Sequence, residues 1–376
     1  MNELVSVFPV LFLVYTLQCI AVAPPVSVAF YLNRHLRGRL LRRHWQVGRS
    51  HHKLFFHNPF APLTGAVYVD PLPFTVFCDA QGQLLGLNFD SPGDLDPRVK
   101  QFSFDKPHKI GSRAKQVLVD GQSIYTAASE ISAERMAIIL SRLCSVPHGK
   151  RLSLLKREVS KMFLMESLDD RLQQYSHSTM SLHAACISLF VFLFFIAPLL
   201  TFFLGLHRLW LPFLLYLIFL GCSILWLFHR SYRSLYPGKS TGHSQQLFMI
   251  ALSPFAAIRA NDLLLADLVS GFHPIAVARR LLEEEEFLEF AGAELRRAKF
   301  LLADTVLLQF LTEFLVGQQV EVRSLLRPPE PDNSRSRSYC PVCLTQYVID
   351  SGVCQDCTAV PLHSFATDSE GPTNAN

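Results

Sequence analysis

The sequence predicts an α-helical integral membrane protein with three transmembrane helices, a small cytoplasmic α+β domain, a cytoplasmic helical region and a C-terminal metal-binding module. Three observations predict it: two long uncharged apolar runs between Ala184 and Phe228, short alternating apolar runs after residue 61, and two Cys-x-x-Cys pairs between residues 340 and 357. The chain has 376 residues and is 50% hydrophobic, which is typical of a membrane protein with sizeable water-facing parts.

The two apolar runs form a predicted transmembrane hairpin at residues 183–229. No Asp, Glu, Lys or Arg occurs between Arg171 and Arg208, or between Arg208 and Arg230. Each run therefore supplies the roughly 20 apolar residues that a helix needs to cross a bilayer. Buried core helices are the alternative, but such helices are usually shorter and carry occasional polar residues. Pro198 and Pro212 lie inside the runs and predict at most a kink in each helix.

A third apolar run predicts a transmembrane anchor at residues 1–32. The tripeptide at 21–23 imitates a signal-peptide cleavage site, but the short segment before the apolar run carries Glu3 and no basic residue. Two prolines follow the tripeptide at once, and the apolar stretch continues beyond them. We therefore expect the anchor to remain uncleaved.

Basic residues predict the orientation of the chain. Residues 33–60 carry several Arg and Lys but no acid, and basic residues also flank the hairpin at both ends. By the positive-inside rule, we expect the N-terminus outside and the C-terminus in the cytoplasm of an inner or plasma membrane protein. The segment 33–60 can also contact anionic membrane lipids. Nucleic-acid binding is disfavoured, because topology alone accounts for the charge.

Residues 61–182 predict one cytoplasmic α+β domain. Runs such as GAVYVD and QLLGLNFD are bounded by Gly and Pro turns, as expected of a small antiparallel sheet. Ser132 is the expected cap of the helix AERMAIILSRL. The acids at 90, 94 and 96 are interpreted as turn residues rather than a catalytic pair. Within residues 61–182 we find no GxSxG, HExxH or phosphate-loop motif.

Residues 230–326 predict a cytoplasmic helical region. Ser253 and Pro254 form a cap followed by a first-turn proline, Gly271 can end that helix, and Pro274 can begin the next. The leucine content after residue 275 exceeds what one exposed helix can carry. These helices must therefore pack on each other, on the 61–182 domain or on a partner. The 61–182 domain is favoured, because residues 33–182 are net basic and residues 230–376 net acidic.

Four cysteines form the candidate metal site. Cys340 with Cys343, and Cys354 with Cys357, are Cys-x-x-Cys pairs separated by ten residues. Each pair closes a tight turn that directs two thiolates at one point, and the hairpin between the pairs, with Gly352 in its turn, completes a tetrahedron. Residues 339–360 resemble the zinc-ribbon class. The resemblance implies one structural zinc ion, on which the folding of so short a segment depends.

Two alternatives to zinc are disfavoured. The cytoplasmic placement opposes disulfides. An iron site of the rubredoxin kind is opposed because glycine follows neither pair. Residues 327–338, rich in proline, serine and charge, predict a flexible linker, and residues 361–376 a disordered tail.

Together these features predict a non-catalytic scaffold, assembly or regulatory protein at the membrane. It would present the zinc ribbon and the apolar cytoplasmic helices to protein partners. The alternative is a membrane-bound enzyme with a site in the 61–182 domain and an unknown substrate. A transporter subunit is a third hypothesis, disfavoured unless the protein oligomerises, because no charged residue lies in the apolar runs of the three predicted spans.

Overall fold

The structure is a computed structural model that describes residues 7–19, 28–31, 43–47, 50–54, 66–70, 72, 74–89, 100–104, 106–127, 129–237, 243–357 and 360–365. The helices are α1 Val7–Cys19, α2 Glu130–Ser145, α3 His148–Ser160, α4 Met165–Val191, α5 Ala197–Leu204, α6 Leu206–Leu235, α7 His243–Leu252, α8 Pro254–Ile258, α9 Ala260–Leu268, α10 Pro274–Leu281, α11 Glu284–Arg296, α12 Thr305–Gly317 and α13 Val322–Leu325.

The strands are short and all described pairings are antiparallel. They are β1 Val28–Tyr31, β2 Arg43–Val47, β3 Ser50–Leu54, β4 Ala66–Val69, β5 Phe74–Cys78, β6 Leu84–Phe89, β7 Lys100–Ser103, β8 Ile110–Arg113, β9 Gln116–Val119, β10 Gln122–Thr126, β11 Ser338–Tyr339, β12 Gln346–Tyr347 and β13 His363–Ser364.

The chain divides into two compact units. The first comprises Met1–Pro73, Phe89–Lys100 and Lys106–Val277, and the second comprises Phe74–Asn88, Gln101–Asp105 and Ala278–Asn376.

A long helical hairpin dominates the first unit. Helix α4 continues through a π-helical turn at Phe192–Ile196 into α5, so that Met165–Leu204 is one helix of 40 residues. Arg208–Leu235, within α6, is a second apolar helix of 28 residues. Both helices are long and apolar enough to span a membrane.

Local chemistry explains the π-helical turn and the reversal of the hairpin. The π-helical turn ends just before Pro198, which has no N–H for the helical ladder. The reversal occurs at Gly205, whose φ of +79° is a left-handed conformation that glycine adopts without a Cβ clash. At the polar end of the hairpin, Ser231 Oγ donates to Ser178 O at 2.7 Å, and Gln174 Nε2 donates to Ser234 O at 3.0 Å.

The predicted N-terminal span is not confirmed. Helix α1 has 13 residues, about 20 Å of helix, whereas a membrane core is about 30 Å thick. Within the predicted anchor, β1 pairs with β4, with Val28 opposite Val69. Residues 1–6 and 20–27, including the tripeptide at 21–23, lie outside the described residues.

The α+β region folds as several small sheets rather than one. In the first unit β1 pairs with β4, β2 with β3, and β9 lies between β8 and β10. Helix α2 packs on β8 and β9. It begins at Glu130, and its cap is Ser129, not the expected Ser132, because Ser129 Oγ accepts the Ser132 N–H at 3.1 Å.

The helices after the hairpin begin and end close to the expected residues. Ser253 caps α8 with Pro254 in its first turn, and α10 begins at Pro274. Helix α9 ends at Leu268, shortly before Gly271, which has a φ of +95°. Helix α9 also packs on β4, which lies in the predicted 61–182 domain.

The second unit joins a three-stranded sheet, in the order β5-β6-β7, to the C-terminal helices and strands. Helix α11 continues into a π-helical turn at Arg297–Leu301, and Asp304 caps α12 by accepting the Leu307 N–H at 2.9 Å. Buried Phe287, Leu295 and Leu311 belong to the apolar core of these helices. The leucine-rich helices thus bury part of their apolar surface on each other.

Candidate metal centre

Two tight turns position the four cysteines. In the first, the Leu344 N–H donates to Cys340 O at 2.9 Å, and Leu344 adopts a φ of +63°. In the second, the Cys357 N–H donates to Cys354 Sγ at 3.3 Å. Each Cys-x-x-Cys pair is therefore folded back on itself, as the sequence predicts.

A small sheet brings the two turns together. Strand β11 pairs on one side with β12 and on the other with β13. Leu362 N–H donates to Gly352 O at 2.9 Å, and Cys354 N–H donates to Val360 O at 2.9 Å. Gly352 has a φ of +150°, outside the range that other residues readily adopt. Cys340, Cys354, Val360 and Leu362 form the buried core of this module.

The sulfur positions fit one metal ion. All four Sγ atoms lie within 4.8 Å of one another, and Cys343 Sγ is 3.6 Å from Cys354 Sγ. A tetrahedral thiolate site with metal–sulfur bonds of about 2.3 Å places its sulfurs about 3.8 Å apart. None of the four is in a disulfide. Cys340, Cys343, Cys354 and Cys357 can therefore bind one metal ion.

The protonation of the thiols differs across the site. Burial raises the pKa of the Cys340 thiol to about 11, although backbone N–H groups of Val342 and Cys343 oppose the rise. Burial also opposes ionisation of Cys354, but hydrogen bonds from the Tyr347 hydroxyl and the Cys357 N–H lower its pKa to about 7. Burial and the neighbouring Cys343 raise the pKa of Cys357. Several thiolates crowded together need a nearby cation, which a bound metal supplies.

Residues 327–338, which the composition predicts to be a flexible linker, form hydrogen bonds with the metal module. Gln346 in β12 holds this segment at two points: its Nε2 donates to Glu330 O at 2.7 Å, and its Oε1 accepts the Asp332 N–H at 2.9 Å. Arg337 N–H donates to Tyr347 O at 2.9 Å. The composition predicted disorder because it lacks apolar residues, but these hydrogen bonds to the module hold the backbone instead.

Arg296 in α11 attaches the module to the helices. Its Nη1 donates to Leu325 O at 3.0 Å, and its Nε donates to Val342 O at 3.3 Å, inside the first cysteine turn. Gly292 leaves room for this side chain, since a Cβ there would lie 2.9 Å from Nη1. Burial lowers the pKa of Arg296. A second contact joins Phe300 edge-on to His363, with ring centroids 5.5 Å apart.

The module also extends beyond the predicted boundary of 339–360. Strand β13 pairs His363 with Tyr339, and the Phe365 N–H donates to Arg337 O at 3.1 Å. Residues 361–365 of the predicted disordered tail therefore belong to the sheet, and residues 366–376 lie outside the described residues.

The sequence predicts the four cysteines as the metal site, but it does not predict that Arg296, Tyr347 and His363 contribute contacts to the metal module. Arg296 lies 44 residues before Cys340, so no local pattern links the two. Tyr347 falls between the two pairs, where an aromatic residue is a weak signal. The acids at 90, 94 and 96 and most of the basic residues of segment 33–60 lie outside the described residues.

Comparison of the chain with protein-family models, characterised proteins and solved structures finds no match. The geometry of the site is therefore the basis for the functional argument below.

We expect the purified protein to carry one metal ion per chain, and Cys354→Ser to lose it, because a four-thiolate site with one ligand removed binds far more weakly. Elemental analysis across the transition metals measures the content. Cys144→Ser is the matched control, since Cys144 lies outside the cluster. An unchanged metal content in Cys354→Ser would contradict the assignment.

We expect Arg296→Met to loosen the module from the helices. The change leaves the carbonyl oxygens of Leu325 and Val342 without this donor, which costs about 0.5–1.5 kcal/mol of unfolding free energy for each partly buried hydrogen bond. Limited proteolysis within residues 327–338 should become faster while the metal content is kept. Arg297→Met is the control, because Arg297 is the adjacent residue and its ion pair among the described residues is with Glu294, at 4.0 Å. Equal cleavage rates in the two variants would refute the attachment.

Proposed function

We propose that the hairpin of α4, α5 and α6 crosses a membrane, with the second unit in the cytoplasm. The exposure of its side chains carries this proposal. In the most apolar stretch of each long helix, only 28% and 17% of the residues are buried. Core helices of soluble proteins, in contrast, are mostly buried. Phe195, Phe203 and Phe219 are among the large apolar side chains exposed on this hairpin. A bilayer is the solvent that suits such surface.

Helix α1 is proposed to lie beside the hairpin at the same depth. Tyr15 packs on Phe190 and Phe255, with ring centroids 5.8 Å apart in both pairs, and Phe12 lies edge-on to Phe194 at 5.3 Å. Val10, Leu13 and Leu17 are exposed. We propose that α1 is the third membrane segment, with the N-terminus outside and the C-terminus in the cytoplasm, as the distribution of basic residues predicts.

We expect Phe195→Arg combined with Phe219→Arg to reduce insertion into microsomal membranes strongly. An arginine at the centre of a span costs about 2.5–3.5 kcal/mol on insertion scales. Alkaline extraction separates inserted from peripheral chains. Ile138→Arg is the control, because Ile138 is an exposed apolar residue on α2, outside both candidate spans. Full extraction of the unmodified chain would refute membrane insertion.

We propose that the metal is a structural zinc ion. The four cysteine thiolates complete a tetrahedron and leave no position for a substrate or water, which is the arrangement of structural rather than catalytic zinc sites. Thiolate ligands also select zinc over the hard cations magnesium and calcium. When bound, the ion would hold the two cysteine turns together.

We propose that the protein is a non-catalytic scaffold or assembly component whose zinc ribbon binds a protein partner at the membrane. One observation carries this proposal: the hairpin between the cysteine pairs exposes Val348, Ile349 and Val353, with 67%, 50% and 59% of each residue accessible. We name these three residues the ribbon patch. Three exposed apolar side chains within six residues of the chain, on a small folded module, favour an interaction surface.

The ribbon patch is fixed in place, which favours binding. Ser338 Oγ donates to Ile349 O, and Val353 bridges to Pro361 in the sheet. Because the module is ordered and attached through Arg296, little conformational entropy remains to be lost on association.

We expect Val348→Asp combined with Val353→Asp to abolish partner binding while zinc content is kept. Quantitative affinity purification in mild detergent compares this variant with the unmodified chain. The recovered amount of any partner that binds through the ribbon patch should fall roughly tenfold or more. The reason is that apolar residues buried in an interface together contribute about 1.4 kcal/mol or more to the binding free energy. Ile138→Asp is the control for an exposed apolar residue elsewhere. Identical partner profiles in all three proteins would exclude the ribbon patch as the docking surface.

A further inference from the structure

Two arginines converge on the turn that follows α9 in the first unit. Arg171 of α4 donates from Nη1 to Leu268 O at 3.3 Å, and its Cζ lies 5.7 Å from the centre of the Phe272 ring. The Arg135 guanidinium, from α2, lies against Gly271, because a Cβ built on Gly271 would be 1.5 Å from Arg135 Nη1. We name Arg135, Arg171 and the turn 268–272 the arginine site.

Gly271 is what allows the two guanidinium groups to approach this turn. Its φ of +95° is strained for any other residue, and a side chain there would displace Arg135. The backbone of the turn is therefore shaped to accept a guanidinium group directly against it.

The hydrogen-bonding capacity of the site is largely unused. Within the part of the chain that the structure describes, Arg135 makes no hydrogen bond or ion pair, although a guanidinium has five N–H donors. The described contacts of Arg171 include one carbonyl and no carboxylate. Ser270 lies in the chain between Leu268 and Phe272, the two residues that Arg171 contacts. It is buried, and its hydroxyl has no hydrogen-bond partner among the described residues.

Among the described residues, no carboxylate forms an ion pair with either guanidinium group of the site. Burial and the charge of Arg171 lower the pKa of Arg135, while Glu158 opposes this. Glu158 is already engaged, since its Oε1 lies 2.8 Å from Lys161 Nζ and 3.9 Å from Arg142 Nη1. The two positive charges disfavour each other, and an anion bound between the guanidinium groups would relieve this repulsion.

We propose that the arginine site binds a phosphate group. Two planar guanidinium forks and a nearby hydroxyl present more donors than a carboxylate with two oxygens can accept, whereas a phosphate monoester offers three terminal oxygens. The anion would neutralise the arginine pair and use the donors that the protein leaves free.

The position of the site assigns this phosphate to a soluble molecule rather than to a lipid headgroup. This step rests on the proposed membrane crossing. Arg171 precedes Ala184, where the apolar run begins, by 13 residues of the same helix. That separation is about 20 Å, beyond a headgroup layer of roughly 6 Å.

The test is a titration of the full, metal-loaded chain in detergent with inorganic phosphate, at constant ionic strength maintained with chloride. Thermal unfolding and isothermal calorimetry are the readouts. We expect saturable binding and a rise in Tm for the unmodified chain, and roughly tenfold or greater loss of affinity in Arg135→Gln and in Arg171→Gln. Arg113→Gln, an exposed position on β8 of the same unit, should bind like the unmodified chain.

Three outcomes would overturn the proposal. The first is no saturable response to phosphate in the unmodified chain. The second is unchanged affinity in both variants; a fall in the phosphate-free Tm of Arg135→Gln alongside it would show a purely structural role. The third is binding only to vesicles that contain phosphatidic acid, which would move the site to the lipid. Because calorimetry in detergent does not depend on topology, failure here is distinct from failure of the insertion assay.

Discussion

The first unit depends on the length of a single helix. Met165–Leu204 has 40 residues, about 60 Å, twice the thickness of a membrane core. One half of this helix is uncharged and exposes aromatic side chains, and the other half is polar and is held to α6 by Ser231 and Gln174. No single solvent, whether water or lipid, suits both the apolar half and the polar half of this helix. In the proposed arrangement the apolar half lies in the bilayer. The polar half lies outside it and packs against α9.

The second unit depends on a different feature, the close approach of the four cysteine Sγ atoms. So small a module has a core of only a few side chains around Cys340 and Cys354, which alone cannot offset the entropy of ordering its chain. A bound metal ion would make up the difference, and the Tyr347 hydroxyl and the Cys357 N–H, which both donate to Cys354 Sγ, would then orient that ligand. Arg296 connects the module to α11 through its hydrogen bonds to Val342 O and Leu325 O.

The sequence could predict what short-range patterns determine. The two apolar helices follow from the absence of charge, the cysteine cluster from its spacing, and the cap at Ser253 from the proline beside it. Sequence-based prediction was incomplete where the structure depends on contacts between residues that are far apart in the chain. Proline and serine in residues 327–338 gave no sign that Gln346 would hold their backbone. The cap at Ser129 was misplaced by three residues because two serines compete there, and β1 forms only because β4 pairs with it.

The hydrogen bonds between residues 327–338 and the metal module affect how the proposed ribbon patch would function. A flexible tether gives a docking module a wide reach, but binding must then immobilise both the module and the tether. With Arg296 bound to Val342 O and Gln346 bound to the backbone at Glu330, that cost is met during folding. The ribbon patch is consequently presented in one orientation relative to α11. In the proposed function, such a surface would select partners by shape and position, as an assembly component requires, rather than capture them over a distance.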